Sequence, residues 1–242
     1  MSFASQAESV EWDWGQTAAF LDALKDEFEL PIREAMQIPE PVVEKVDGSG
    51  FPTELRLRKV PKYQRIRNEA KTKVVQVGEN DLVVSQMRDE NGNYAGFTPL
   101  RSLFTEVAGR FRESIPVGDI ATLEVHYVDM VRLKIKGKFD LRDYFDGAPE
   151  PRSTPYGHSF STGWSLKFRT PDCGDTAELS VQSLQPDDGF LSFRLDWHRS
   201  CYQVGNDPES IAVRLLLAHT YLKECFAAMC LPPVWNSFEP LN

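Results

Sequence analysis

Apolar and polar residues alternate along residues 123–135 in the pattern of a β-strand with one buried face. Asp129 interrupts the apolar row at a position that should point toward the core. An unpaired buried carboxylate costs several kcal/mol, so we predict that Asp129 is paired, protonated or used chemically. The predicted inward row is Leu123, Val125, Tyr127, Asp129, Val131, Leu133 and Ile135.

The same kind of pattern predicts two similar series of elements along the chain. The first series has strands near 42–46, 55–60, 73–77 and 82–87, and the second has strands near 123–135, 160–169, 176–184 and 190–199. A helix follows each series, with Thr98 and Pro99 at the start of the first and Pro208 at the start of the second. Strands with one apolar face predict an antiparallel sheet that helices cover on one side. We therefore predict an α+β fold: a duplicated ββββα unit that forms a curved antiparallel sheet, packed on one face by two long helices.

The first forty residues predict an acidic arm that contains an amphipathic helix over residues 14–30, limited by Pro31 and Pro39. Residues 41–242 then form one domain of two halves, 41–116 and 117–242. Residues 1–50 hold eleven acids and three bases, which accounts for most of the net charge of -9. An amphipathic helix is a ready recognition element for a protein partner. The predicted partner-binding residues of the arm are Trp12, Trp14, Phe20 and Phe28.

A basic stretch follows between residues 56 and 73, where eight bases are opposed only by Glu69 and the preceding Glu54. Such a stretch is a candidate nucleic-acid contact. The net charge and the acidic arm disfavour that role, and only Tyr63 could serve as a stacking platform inside the stretch. The nucleic-acid candidates are Arg56, Arg58, Lys62, Arg65 and Arg67.

The helix predicted after Pro208 carries its own polar interruption. His219 lies within an apolar stripe that includes Leu215 and Leu222. We expect Asp129 and His219 to meet, directly or through Arg132, Tyr202 or a water molecule. A buried polar pair that fixes the register of helix on sheet is the favoured interpretation. An acid/base dyad in a pocket is the alternative, which makes Asp129 and His219 the weak catalytic candidates.

A second polar cluster, Asp196 and His198, falls on the outward face of the last predicted strand. These residue types can bind a metal ion, but a third ligand is needed, and His126 and His158 are the candidates. A solvated strand face is the favoured interpretation, so we expect no metal and no cofactor. The sequence contains no GxGxxG, P-loop, HExxH or GxSxG motif.

The cysteines and the apolar segments of the sequence bear on the cellular compartment and on membrane association. The four cysteines have no close pair spacing, which predicts reduced thiols in a cytoplasmic protein. There is no run of 18 apolar residues and no secretory signal at the start, so we expect no membrane association.

Spaced residues through most of the chain resemble an uncharacterised, sporadically distributed bacterial protein family. These residues are Leu82, Tyr94-Ala95-Gly96-Phe97 before a helix, the strand Val125 to Leu133, Leu141 to Phe145, Leu195-Asp196, Ala218-His219, Phe226 and Trp235. The resemblance covers roughly residues 40–238. His126 stands where family members often have Arg, in a strand that tends to read Arg-Tyr-x-Asn. The resemblance implies no assigned activity, and the patchy distribution of the family resembles that of genes in mobile or antiviral-defence loci.

We therefore expect a non-catalytic cytoplasmic binding or regulatory protein that acts through a protein partner, as an accessory of a bacterial antiviral-defence or mobile-element system. One alternative is a small-ligand-binding protein or enzyme with a pocket between the sheet and the helices. The other is nucleic-acid binding through the basic stretch.

Overall fold

The computed structural model describes residues 1–5, 12–46, 52–79, 81–92, 94–134, 140–148, 153–154, 157–158, 163–170, 174–184 and 190–235. The chain divides into two compact units. Unit 1 comprises Met1–Ala121 together with Gly205–Glu209, and unit 2 comprises Thr122–Val204 together with Ser210–Asn242.

Unit 1 contains an antiparallel sheet and two helices. The sheet has four longer strands and one short one, in the order β2-β3-β4-β5-β1. The elements are β1 (Ser2–Ser5), α1 (Trp14–Lys25), β2 (Ile32–Val46), β3 (Pro52–Arg67), β4 (Lys73–Gly78), β5 (Asp81–Gln86) and α2 (Phe97–Ser114).

Strands β2 and β3 extend well beyond the rest of this sheet. They pair from Ile32 opposite Arg67 to Val46 opposite Pro52, whereas β4 pairs only with the last five residues of β3. The far halves of β2 and β3 therefore form a two-stranded ribbon. The sequence predicted a helical arm through residue 40, with a hinge at Pro39, but β2 already begins at Ile32. A strand that pairs on one side tolerates Pro39, because the missing N–H is not needed by a neighbour.

The helices of unit 1 pack their apolar sides inward. The carboxylate of Asp13 caps α1 by accepting hydrogen bonds from the backbone N–H of Gly15 and Gln16. Helix α2 begins at Phe97 without a side-chain cap. The sequence predicted Thr98 as the N-cap residue, and this prediction is wrong because Gly96 occupies that position. Gly96 precedes the helix with φ of 94°, a conformation that glycine adopts without strain. The buried side chains of the two helices are Thr17, Phe20, Leu21, Leu24, Leu100, Phe104, Val107, Ala108 and Phe111.

Unit 2 contains a second antiparallel sheet, in the order β6-β11-β10-β9, and its principal helix follows the last strand. A short separate hairpin, β7 with β8, precedes β9. The elements are β6 (Ile120–Lys134), a 3-10 helix (Leu141–Asp143), β7 (Ser153–Thr154), β8 (Gly157–His158), β9 (Gly163–Arg169), β10 (Thr176–Ser183), β11 (Phe190–Tyr202), α3 (Pro208–Met229) and α4 (Pro232–Trp235).

Helix α3 lies on the buried face of β6 and β11. The ring of Phe226 contacts that of Trp197 at a centroid distance of 5.4 Å, and the guanidinium of Arg199 lies 4.2 Å from the ring centre of Tyr221. The buried residues of α3 are Ile211, Leu215, Ala218, Leu222 and Met229, and those of β6 and β11 include Leu123, Val125, Val131, Leu133, Phe193 and Leu195. The predicted α+β class is confirmed, and the alternation in β6 and β11 is the pattern that predicted it.

Candidate functional site

The inward row of β6 contains a polar contact with α3. The hydroxyl of Tyr127 and Nδ1 of His219 share a hydrogen bond of 2.6 Å, and the two ring centroids are 5.7 Å apart. His219 is half-buried, as its place within the stripe of α3 predicted. The residue shown opposite His219 is thus Tyr127, two positions before Asp129 on the same face of the strand.

Asp129 itself is half-buried on this face. Its carboxylate lies close enough to Cys230, just after α3, to influence that thiol. Burial first and the charge of Asp129 second raise the pKa of Cys230 to about 12. Asp129 therefore faces the C-terminal end of α3, while Tyr127 faces its middle. The direct pairing of Asp129 with His219 stays a prediction.

The opposite face of the same sheet brings two histidines together. His126 on β6 and His198 on β11 are directly opposite each other, with ring centroids 5.8 Å apart. Each imidazole meets a carboxylate. Nε2 of His126 lies 3.1 Å from Asp196 Oδ1, and Nε2 of His198 lies 3.4 Å from Glu124 Oε2. The sequence predicted the outward position of Asp196 and His198 but could not place His126 beside them.

These residues line an open depression of about 550 Å³ on the outer face of the sheet of unit 2. The guanidinium of Arg194 donates to the same carboxylate that His126 contacts, with nitrogen–oxygen distances to Asp196 of 2.8 and 2.9 Å. The depression is therefore polar: its side chains carry both positive and negative charges and include both hydrogen-bond donors and acceptors. Its lining residues are Glu124, His126, Ser180, Gln182, Arg194, Asp196 and His198.

The two imidazoles of this depression differ in their affinity for protons. Burial lowers the pKa of His126, although Asp196 opposes the effect. The hydrogen bond that the imidazole of His198 donates to the carboxylate of Glu124 raises the pKa of His198, and burial opposes this effect. Near neutral pH the first imidazole is therefore neutral, while the second binds a proton more readily.

The depression does not have the donor arrangement of a metal centre. Within the described part of the chain, no three His, Cys, Asp or Glu side chains converge in a group that could hold a metal ion. Nε2 of His126 is directed to Asp196 and Nε2 of His198 to Glu124, in opposite directions along the strand pair. The two nitrogen atoms therefore do not point to one position where a metal ion could bind both. The side chain of His158, the other ligand candidate, lies outside the described residues.

A buried ionic cluster in unit 2 was not anticipated from the sequence. Asp175 is fully buried, and its carboxylate accepts hydrogen bonds from Arg199 at 3.0 Å and from the backbone N–H of Tyr202 at 3.1 Å. Arg214 of α3 lies 3.7 Å from the same carboxylate. The cluster links the start of β10, the end of β11 and α3. Arg199 continues the inward row of β11 after Trp197, which is the sequence signal that could have revealed it.

The cysteines near this cluster are poor nucleophiles. Burial, assisted by the charge of Asp175, raises the pKa of Cys201 to about 11. Cys201, Cys225 and Cys230 are all free thiols, and Cys173 lies outside the described residues. Thiol-based catalysis at neutral pH finds no support in this arrangement, because the thiolate is the reactive form.

Among the aromatic residues predicted to bind a partner, Phe20 is buried in unit 1, while Trp12, Trp14 and Phe28 are half-buried. The ring of Phe20 packs against Phe111 of α2 at a centroid distance of 5.4 Å, and Phe20 is buried. The ring of Trp12 contacts both Trp14 and Phe111, at 6.2 and 6.4 Å. Phe28 lies beneath the guanidinium of Arg110.

The basic residues predicted to contact nucleic acid fall on β3, and some are already paired. Arg65 and Arg67 both bind the carboxylate of Glu34 on the neighbouring strand, with distances of 2.5 and 2.7 Å. Arg56 and Lys62 are exposed, and the side chain of Arg58 lies outside the described residues. Ion pairs with Glu34 reduce the positive charge that this surface offers to a phosphate backbone.

Helix α3 has a second apolar side, which faces solvent. Val213, Leu216 and Leu217 are 51%, 44% and 52% exposed. They follow the spacing of one helical face, directly opposite the buried stripe. Thr220, Ala227 and Ala228 are exposed on the same face. We call these six residues the α3 outer face.

Comparison of the chain with models of protein families, with curated proteins and with solved structures finds no match in any of the three. Among the described residues, no helix is both long enough and apolar enough to cross a membrane. Functional interpretation therefore depends on the residues of the chain itself.

Proposed function

We propose that the chain is a non-catalytic cytoplasmic binding protein that acts through a protein partner, and that the partner docks on the α3 outer face. The observation that carries this proposal is the exposure of Val213, Leu216 and Leu217 on a helix whose other side is already apolar and buried. An amphipathic helix needs only one apolar stripe to join a core, so a second stripe has no role in folding.

The other long helix of the chain provides an internal comparison. Helix α2 is also buried on one side, but its exposed positions are polar, and they include Ser102, Glu106 and Glu113. Helix α3 exposes leucine and valine at the equivalent positions. Contiguous exposed apolar residues on a folded protein mark interaction surfaces more often than isolated ones do.

The dimensions of the surface suit one helix or strand of a partner. From Val213 to Ala228 the face covers sixteen residues and includes the exposed Glu224, and the fifteen helical steps of 1.5 Å correspond to about 23 Å. The large side chains lie at the N-terminal half of the face and the small ones, Ala227 and Ala228, lie at the other end. This gradient would let a partner element approach more closely near the alanines.

A matched pair of variants tests the proposal. Leu217→Glu introduces a charge at the centre of the face, and Met130→Glu introduces the same charge at an exposed apolar position of β6 that is 59% exposed. Tagged protein expressed in the native host should recover the same partner with the wild type and with Met130→Glu, but not with Leu217→Glu. Recovery of every partner by Leu217→Glu would refute docking on α3.

A second candidate function, binding of a small polar ligand, is favoured by the depression on the outer face of the sheet. Its lining offers donors and acceptors of both charges, centred on His126 and His198. The candidates Asp129 and His219 lie on the side of this sheet that α3 covers, so the candidate pocket shifts to the outer face.

Ligand binding at this depression can be tested by screening polar metabolites against changes in the histidine resonances. A ligand of the depression should shift the signals of His126 and His198 and leave that of His219 unchanged. The variant His126→Asn should weaken such binding without unfolding the protein, because the side chain of His126 is 48% exposed and lies outside the core. Equal shifts of the His126, His198 and His219 signals would contradict a local site.

The free thiols of Cys201, Cys225 and Cys230 support the cytoplasmic part of the proposal, since reducing compartments preserve thiols.

We also propose that the two units derive from one duplicated ββββα unit. In support, the first strand of each unit pairs with its last strand, β1 with β5 and β6 with β11, and a long helix follows. The defence setting rests on the family resemblance alone.

A further inference from the structure

We propose that the outer face of the unit 2 sheet binds a single-stranded nucleic acid, with phosphates on the basic end of β6 and a base in the polar depression. This inference rests on the second candidate function, because it specifies the ligand of that depression. It follows from the order of side chains along the outward row of β6. That row is Glu124, His126, Val128, Met130, Arg132 and Lys134.

The outward row of β6 changes from polar to apolar to basic along the strand. Its first part, with His126, lines the depression, and its last part consists of the exposed cations Arg132 and Lys134. Between these two parts, Val128 and Met130 are 48% and 59% exposed. A nucleotide strand has matching parts, since its bases have flat apolar faces and its phosphates are anionic.

The basic end of this face continues onto β11 through an aromatic ring. The guanidinium carbon of Arg132 lies 4.3 Å from the centre of the Phe190 ring, and Phe190 is directly opposite Lys134 in the strand register. Aromatic rings and guanidinium planes are the surfaces on which the bases of a single strand stack. Alternate residues of a strand are about 6.6 Å apart, so Arg132 and Lys134 present two cations in a line for neighbouring phosphates.

The depression supplies the polar contacts that a base requires. The edge of a base presents hydrogen-bond donors and acceptors side by side, and in a single strand this edge is accessible. The carboxylates of Glu124 and Asp196 accept hydrogen bonds, and the amide of Gln182 both donates and accepts. Arg194, bound to Asp196, is opposite Met130 in the register. The base site and the phosphate site are therefore continuous on one face.

Unit 2 does not share the strong negative charge of the whole chain. It holds twelve Lys and Arg residues and fourteen Asp and Glu residues, so it contributes only -2 to the net charge of -9. At physiological salt a phosphate responds mainly to charges within about 8 Å. The acids Glu124, Glu178 and Asp196 of the outer face each contact a basic side chain of the same face, which partly neutralises them.

Fluorescence anisotropy with the purified full-length chain tests the inference. A labelled RNA of about twelve nucleotides, or the DNA of the same sequence, should bind with a dissociation constant of about 10⁻⁴ to 10⁻⁶ M at physiological salt. The stronger of the two identifies which nucleic acid the face binds, and failure of both would overturn the inference. An abasic strand of equal length keeps the phosphates but should bind at least about tenfold more weakly.

A polyglutamate peptide of the same charge serves as the control for an acidic protein segment. It should not displace the labelled strand, because it has no bases to stack or to enter the depression. Displacement by the peptide, or equal binding of the abasic strand, would show that the face accepts any polyanion and would overturn the proposal.

Two lysine variants locate the binding surface. Lys134→Gln removes one phosphate contact, so it should weaken binding about threefold to tenfold and reduce the slope of log K against log salt by about 0.7. Lys62→Gln removes the same charge from an exposed position of the basic stretch in unit 1 and should change binding by less than about twofold. The opposite order would place the strand on the basic stretch and overturn the proposal.

Arg132→Lys tests the stacking surface separately from the charge. It keeps the cation but removes the guanidinium plane that lies over Phe190. It should therefore weaken the binding of the natural strand more than that of the abasic strand, and equal losses would contradict base stacking at this position. Circular dichroism of the three variants checks that lost binding is not a lost fold.

The histidine resonances separate failure of this inference from failure of the second candidate function. The oligonucleotide should shift the signals of His126 and His198 and leave that of His219 unchanged, and a bound strand that shifts neither would refute the base site. A chain that binds a neutral polar metabolite at the depression but no oligonucleotide would refute the inference and retain ligand binding. A chain in which neither kind of compound shifts His126 or His198 would refute both.

Discussion

Tyr127 of β6 and His219 of α3 are joined by a hydrogen bond of 2.6 Å between the phenol oxygen and Nδ1 of the imidazole. The contact connects the middle of the longest helix of unit 2 to the strand beneath it, across a layer that is mainly apolar around this pair. A polar pair in such a layer fixes the position of the helix along the strand, because a shift by one turn would leave both groups without this bond.

Removal of the Tyr127 hydroxyl should therefore cost stability. We expect Tyr127→Phe to lower the free energy of unfolding by about 1 kcal/mol, measured by urea denaturation. The control is Tyr202→Phe, at an exposed position, which should change it by less than about 0.5 kcal/mol. Equal effects of the two variants would show that the bond does not contribute to stability.

The buried carboxylate of Asp175 should be far more costly to remove than an exposed one. Asp175→Ala leaves Arg199 buried without its partner, which should lower the free energy of unfolding by about 3–5 kcal/mol. Glu27→Ala breaks the exposed pair with Arg110 and should lower the free energy of unfolding far less. Comparable losses would indicate that the guanidinium of Arg199 reaches water once Asp175 is gone.

The two histidines of the outer sheet face should titrate separately. NMR titration of the imidazole resonances should place the pKa of His126 below 6.5 and that of His198 above it, because burial dominates the first and Glu124 the second. The contribution of His198 to stability is complete below pH 6.5 and disappears as pH rises through its higher folded pKa. The variant Glu124→Gln should lose this contribution. The difference in free energy of unfolding between the variant and the wild type should therefore shrink at alkaline pH.

Two leucines of α3, two residues apart, should differ sharply in their effect on folding. Leu215 is fully buried, and Leu215→Ala should lower the free energy of unfolding by about 2–5 kcal/mol. Leu217→Ala should change it by less than about 0.5 kcal/mol when the purified chain is measured alone. A large loss from Leu217→Ala in the purified chain would mean that the α3 outer face serves the fold rather than a partner.

The sequence predicted most of the regular elements because their patterns are local. Alternation in β6 and β11 and the buried stripe of α3 depend only on neighbouring residues, and the structure confirms the α+β class that they imply. The boundaries were less predictable. The edge position of β2 let a strand run through Pro39 and Pro41, where the prolines suggested a break.

The candidate site was harder to predict because its parts come from distant strands. His126 and His198 are 72 positions apart, and only the register of β6 on β11 places them opposite each other. Asp175 could not be recognised as buried from a turn sequence, since its partner Arg199 lies on another strand. The second stripe of α3 is present in the sequence, but the residues alone do not show which of two apolar stripes meets the sheet.

The segment Gly205–Glu209 belongs to unit 1 although it follows most of unit 2 in the chain. Within unit 1, the side chain of Asn206 accepts a hydrogen bond from the backbone N–H of Ile120 at 3.0 Å and donates one to Asp119. Unit 1 therefore remains incomplete during synthesis until the ribosome has passed residue 209. A chain divided after residue 121 would lack this insert, so fragments that follow the order of the sequence would not correspond to the bodies that fold.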